Sequence, residues 1–134
     1  MYMAQVNFLA VLVAAASAFF LGGLWYSPAL FGKIWAREAG VSYDQPKKGH
    51  GAVIFAVSFL FSLIAAIVFA LFLGRNPALN TAVRDGLAIG ACWVATSFGI
   101  NYQFANRTFK LFLIDAGYHV AQFTLYGVIL GLWH

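Results

Sequence analysis

The chain has 134 residues, 63% of them hydrophobic and 9% charged. Soluble domains carry roughly a quarter of their residues as Asp, Glu, Lys and Arg, so a water-facing surface cannot be built here and lipid must cover much of the molecule. The net charge of +4 comes from a few basic residues set between apolar runs, which points to anionic headgroups rather than nucleic acid as the partner. No basic stripe with interleaved aromatics and no nucleic-acid motif occurs.

The first apolar run covers residues 6–26, with Asn7 and Ser17 as its strongly polar members. Ala16-Ser17-Ala18 resembles a signal-peptide cleavage site. No Lys or Arg precedes the run, however, and it continues through Phe19, Phe20, Leu21, Leu24 and Trp25, so the expectation is a retained span. Trp25 and Tyr26 suit the headgroup level. Ser27 and Pro28 read as the cap and first residue of a short amphipathic helix over 28–39, stopped at Gly40 and either lying in the interface or packed on the bundle as a connecting helix. Residues 41–51 turn polar and read as an exposed loop.

A second run covers 52–73, with Ser58 and Ser62 as its polar insertions, and Gly74 and Pro77 end it. The third covers 81–104, capped by Asn80 or Thr81, with Asp85 in its first turn complementing the helix dipole. Asn106-Arg107-Thr108 fits the glycosylation pattern, and Thr108 reads instead as the cap of the fourth run, 111–133. Each run reaches the roughly 20 residues that cross about 30 Å of hydrocarbon. The expected fold is therefore all-α: a polytopic bundle of four transmembrane helices in a single domain, with a short interfacial helix after the first span. Lys33, Arg37, Lys47, Lys48, Arg107 and Lys110 fall on one side, and Arg75 and Arg84 on the other. That asymmetry places both termini on the non-cytoplasmic side.

The fourth run carries the most informative pattern. Asp115, His119, Gln122 and Tyr126 recur at helical spacing and share one face. A carboxylate facing lipid is costly, so Asp115 is expected to turn inward and be either protonated or paired, with His119 one turn away and within reach as its partner. Ser97 and Asn101, extended by Trp93, form a matching stripe on the third run, expected to face Asp115. The functional reading is a polar site handling protons or a cation, and the structural reading is an interhelical hydrogen-bond network. Gly86 with Gly90, and Gly127 with Gly131, have the spacing that lets helices approach closely, within the chain or between copies, and lean toward a homo-oligomer. Cys92 reads as a packing residue. No set of Cys, His and Asp has metal-site spacing, and no phosphate loop or nucleophile motif occurs, so no metal or cofactor is expected, and a membrane-embedded enzyme using Asp115 and His119 as acid and base ranks last among the readings.

Trp25-Tyr26-Ser27-Pro28 with Phe31-Gly32-Lys33 and Trp35, and Asp115-Ala116-Gly117-Tyr118-His119 opening the last run, together resemble a family of small bacterial membrane proteins catalogued as a domain of unknown function. The resemblance covers nearly the whole chain. It implies a four-helix inner-membrane protein and carries no established activity, so no site residue comes with it. The expected function is a small transporter or channel-like protein of unknown substrate or ion. The rival is an accessory protein that binds another membrane component.

Overall fold

The computed structural model describes residues 6–41 and 51–134, and every regular element among them is helical. In chain order these are α1 (Phe8–Trp25), α2 (Gly32–Ala39), α3 (Gly51–Leu73), α4 (Leu79–Ile89), a π-helical turn (Gly90–Val94), α5 (Ala95–Phe104) and α6 (Phe109–Leu132). Two of them, α1 with 18 residues and α3 with 23, are long and apolar enough to cross a membrane. Most of the loop expected at 41–51, including Lys47 and Lys48, lies outside the described residues.

Local chemistry explains the boundaries. Asn7 is not an interior polar residue of α1 but its cap, accepting from the Ala10 amide at 3.1 Å. Gly40 and Gly74 both take φ above +70°, the left-handed geometry that ends a helix and that glycine adopts without strain. Thr108 caps α6 as expected, accepting from the Leu111 amide. Two expected starts are corrected. The helix after α1 begins at Gly32, because the Ser27 hydroxyl donates back to the Leu24 carbonyl and the amides of Phe31 and Gly32 close turns onto Trp25 and Ser27. α4 begins at Leu79 after Ala78, and the Asn80 side chain accepts only from its neighbour Thr81, so neither Asn80 nor Thr81 is the cap. That earlier start also puts Asp85 beyond the first turn.

α6 is the element on which the others assemble, packing against α1, α2, α4 and α5, while α3 packs mainly on α1. The α1 seam is made of Ala10, Ala14, Ala15 and Ala18 with Val11, all fully buried, and Ala66 of α3 joins them. Small side chains let the helices approach closely and gain dispersion contacts. The α4–α6 contact is closer still. A Cβ on Gly86 would lie 2.2 Å from the Phe123 carbonyl oxygen, and one on Gly127 would lie 2.3 Å from that of Ala82. Gly90 meets the Val120 backbone, and Gly131 meets Leu79. All four spaced glycines are thus used inside the chain, which removes them as an argument for a homo-oligomer.

Pairs of contacts fix the directions. Ala82, Gly86 and Gly90 meet α6 at Gly127, Phe123 and Val120 in turn, so α4 and α6 run antiparallel. Phe19 meets Phe55 and Phe59 of α3 edge to face, while Ala15 meets Ser62, so α1 and α3 are also antiparallel. The outward surface is apolar: Phe20, Phe61, Trp93, Phe104 and Phe109 are each more than 60% exposed.

Candidate functional site

The stripe read from α6 folds into two parts. Gln122 and Tyr126 lie in the core. The Gln122 amide donates to the Tyr126 hydroxyl at 2.8 Å, and that hydroxyl lies 2.6 Å from Ser62 Oγ and 3.0 Å from the Ser62 carbonyl oxygen. Ser62 in turn reaches the Ala15 carbonyl. Ser62 therefore ties α3 to both α1 and α6, and the Tyr126 hydroxyl is satisfied with the residue fully buried.

Asp115 also turns inward, at 9% exposure, but its partners are not the expected ones. The Tyr26 hydroxyl donates to one carboxylate oxygen at 2.7 Å, and the Tyr102 hydroxyl donates to the other. These phenols come from the end of α1 and the end of α5, so Asp115 joins three elements. His119 lines a cavity with Asp115 but does not hydrogen-bond to its carboxylate. The His119 ring instead sits 2.6 Å through Nδ1 from the Gln122 side-chain oxygen and stacks on Phe98, with centroids 4.9 Å apart. Because the Gln122 nitrogen donates to Tyr126, its oxygen accepts from Nδ1, and Nε2 is the remaining polar edge of the ring. Among the described residues no buried side-chain nitrogen or oxygen lacks a partner and none bonds to Nε2, so that edge of the ring is open rather than sealed.

Ser97 and Asn101 are corrected. They lie on the exposed side with Trp93, and Phe98 and Tyr102 face α6 in their place. The π-helical turn is the reason. An ordinary helix continuing from Ala82, Gly86 and Gly90 would bring Trp93 and Ser97 inward. One extra residue in the turn delays the inward face, so Val94, Phe98 and Tyr102 follow instead. Nothing in the hydropathy of the run marks this shift.

The two distinctive segments of the sequence meet each other here. Trp25 Nε1 donates to the Ile114 carbonyl at 2.9 Å, and its ring passes over Gly117, where a Cβ would lie 3.2 Å away. Tyr118 donates to the Ala18 carbonyl at 2.9 Å and occupies the space left by Gly22. Trp25 and Tyr26, expected to anchor at headgroups, are thus the clasp between α1 and α6. Tyr26 and Tyr102 are the site residues that sequence reasoning missed. The available signal was their position at the ends of runs that must flank the start of the last helix.

Beside this clasp lies a cavity of about 650 Å³. Asp115, His119 and Tyr118 form one wall, Tyr26, Gly22 and Phe19 another, Ile54, Phe55 and Ser58 of α3 the third, and Phe98 of α5 and Trp35 of α2 close it. α3 and α5 share no extended interface, so the cavity lies between helices that do not pack on each other. Its size is that of a small-molecule site, which ordinarily pairs apolar walls with a few convergent polar groups. Among the described residues no group of three or more His, Cys, Asp and Glu is placed to hold a metal ion.

No curated protein and no solved structure matches the chain. A family model does match, over residues 9–131, and its description is "Protein of unknown function (DUF1761)". The match takes in both the Trp25–Trp35 and the Asp115–His119 segments, and the chain belongs to that family.

Proposed function

We propose that this chain is a four-span membrane protein that moves a small solute or protons through a site formed by Asp115 and His119. In this reading Leu79–Phe104 and α6 cross the bilayer together with α1 and α3. Three observations support the two further spans. α6 alone has 24 residues, about 36 Å of helix against roughly 30 Å of hydrocarbon. Its polar stripe turns inward, and the outer surfaces present Trp93, Ile100, Phe104, Leu113 and Leu132. The antiparallel contacts also suit alternating passes. The basic residues Lys33, Arg37, Arg107 and Lys110 then lie at the Asp115 end, which the positive-inside preference assigns to the cytoplasmic side of a bacterial inner membrane.

The observation that carries the transport reading is the placement of Asp115 and His119 on the wall of a cavity while the rest of their stripe is sealed. Intramembrane ionisable groups are costly, and those retained tend to line pathways. An interhelical hydrogen bond is worth about 0.6 kcal/mol on average, so holding α1 to α6 does not by itself call for a carboxylate. The test is reconstitution of wild type and Asp115→Asn into liposomes containing a trapped pH dye, followed by proton entry under an imposed gradient. Faster entry with wild type and background entry with the variant are expected. Equal rates would defeat the proposal.

A scaffolding role is favoured for the other half of the stripe, where Gln122, Tyr126 and Ser62 are mutually satisfied and buried. An accessory protein would need only that half. No enzymatic role is proposed, because Asp115 and His119 bond to different partners and form no acid–base dyad.

A further inference from the structure

The walls of the cavity allow the solute class to be argued, on the assumption that the cavity is the site just proposed. Asp115 is the one acidic group among the residues lining it, and no Lys or Arg lines it among the described residues. Two phenols donate to the carboxyl oxygens and fill two of their roughly four acceptor positions, and among the described residues no Lys or Arg pairs with them. Among the described residues the ion pair present is Arg37 with Glu38, elsewhere on α2. Buried carboxylates are ordinarily matched by a cation, so this one has room for a counterion brought from outside.

The remaining walls narrow the class. Phe19, Phe55, Phe98, Tyr26, Tyr118 and Trp35 line the same cavity as Asp115, and aromatic rings attract cations that carry an apolar body. A small hydrated ion would lose its water here and find few oxygen ligands in return. An anion would meet Asp115 directly. α3 and α5 share no extended interface, so the gap between them offers a route for a molecule already dissolved in lipid. We infer that the cavity binds a lipophilic organic cation, a quaternary or tertiary onium group with aromatic or alkyl substituents, with its charge against Asp115 and its apolar body against the rings.

The probe is tetraphenylphosphonium, compared with tetraphenylborate, which has nearly the same shape and the opposite charge. Equilibrium dialysis of the detergent-purified full chain reads binding without requiring transport. Wild type is expected to bind the phosphonium saturably and to bind the borate no better than empty micelles do. Asp115→Asn should weaken phosphonium binding by at least about tenfold, the scale of a desolvated cation's contact with its partners. Ser58→Trp, on the α3 wall and away from every polar contact named above, should abolish binding by filling the space while keeping Asp115. If Asp115→Asn does not fold, Ser58→Trp and the borate comparison decide alone. Equal binding of both probes, or phosphonium binding that survives either substitution, would overturn the inference. Proton entry that depends on Asp115 without phosphonium binding would remove the solute class and leave the transport reading. Phosphonium binding without flux would do the reverse.

Discussion

The two ends of α6 are built on opposite terms. Toward its C-terminal end, from Val120 to Gly131, the backbone of α4 lies directly on that of α6, with glycines at every crossing and Tyr126 locked to Ser62 beside the α1 alanines. Toward its N-terminal end, from Ile114 to His119, large aromatic rings hold the helices apart and a cavity of about 650 Å³ lies between them. Small residues bring helices together because the contact area is backbone. Rings separate them and leave voids where they do not interlock. Closure at one end holds the helices in register so that the other end can stay open around a carboxylate. The π-helical turn at Gly90–Val94 sits at the boundary between the two regimes.

This contrast can be broken at the closed end with the largest effect. Gly127→Leu should prevent α4 from seating on α6 and leave little folded protein in detergent. Gly127→Ala should cost about 1–3 kcal/mol, because its Cβ would meet a backbone oxygen that cannot move aside, read as a fall in the unfolding midpoint. Gly23→Ala is the matched control, since nothing lies within 4 Å of a Cβ there, and it should leave the midpoint unchanged or slightly raised. Next in size, Tyr126→Phe strips the hydroxyl from Gln122 and Ser62 together and should cost about 1–2 kcal/mol, with proton entry retained. Loss of entry in this variant would mean that the sealed half belongs to the pathway. Thr108→Ala removes the α6 cap and should cost about 1 kcal/mol, measured the same way. The smallest effect is expected in the open end, where Ser58→Trp should change stability by no more than about 0.5 kcal/mol because it enters existing space. A large loss there would show that the cavity is too tight to be a site.

Much of this was readable from residue order. The apolar lengths of α1 and α3, the stops at Gly40 and Gly74, the Thr108 cap and the common face of Asp115, His119, Gln122 and Tyr126 all depend on near neighbours or on helical periodicity. The inward turn of Asp115 was readable too, since a carboxyl group in an apolar helix has few other places to go. The identity of its partners was not. His119, one turn away, was the nearest candidate by spacing, but its ring is drawn to Gln122 and Phe98, while the phenols that reach Asp115 belong to residues 89 positions before it and 13 positions before it. Ser97 and Asn101 were misplaced because a periodicity argument assumes constant pitch, and one extra residue at Gly90–Val94 rotates everything after it.

The order of residues determined by itself which stretches are helical, where α2 and α3 stop and which face of the last helix is polar, because those outcomes are settled within a turn or two of chain by capping, propensity and period. The tertiary structure decided which side of α5 faces inward, which hydroxyls hold the carboxylate, and that the glycines close one end while the aromatics leave a cavity at the other. Those outcomes depend on helix phase and on the distance between axes, and both are set only when side chains far apart in the chain compete for the same space.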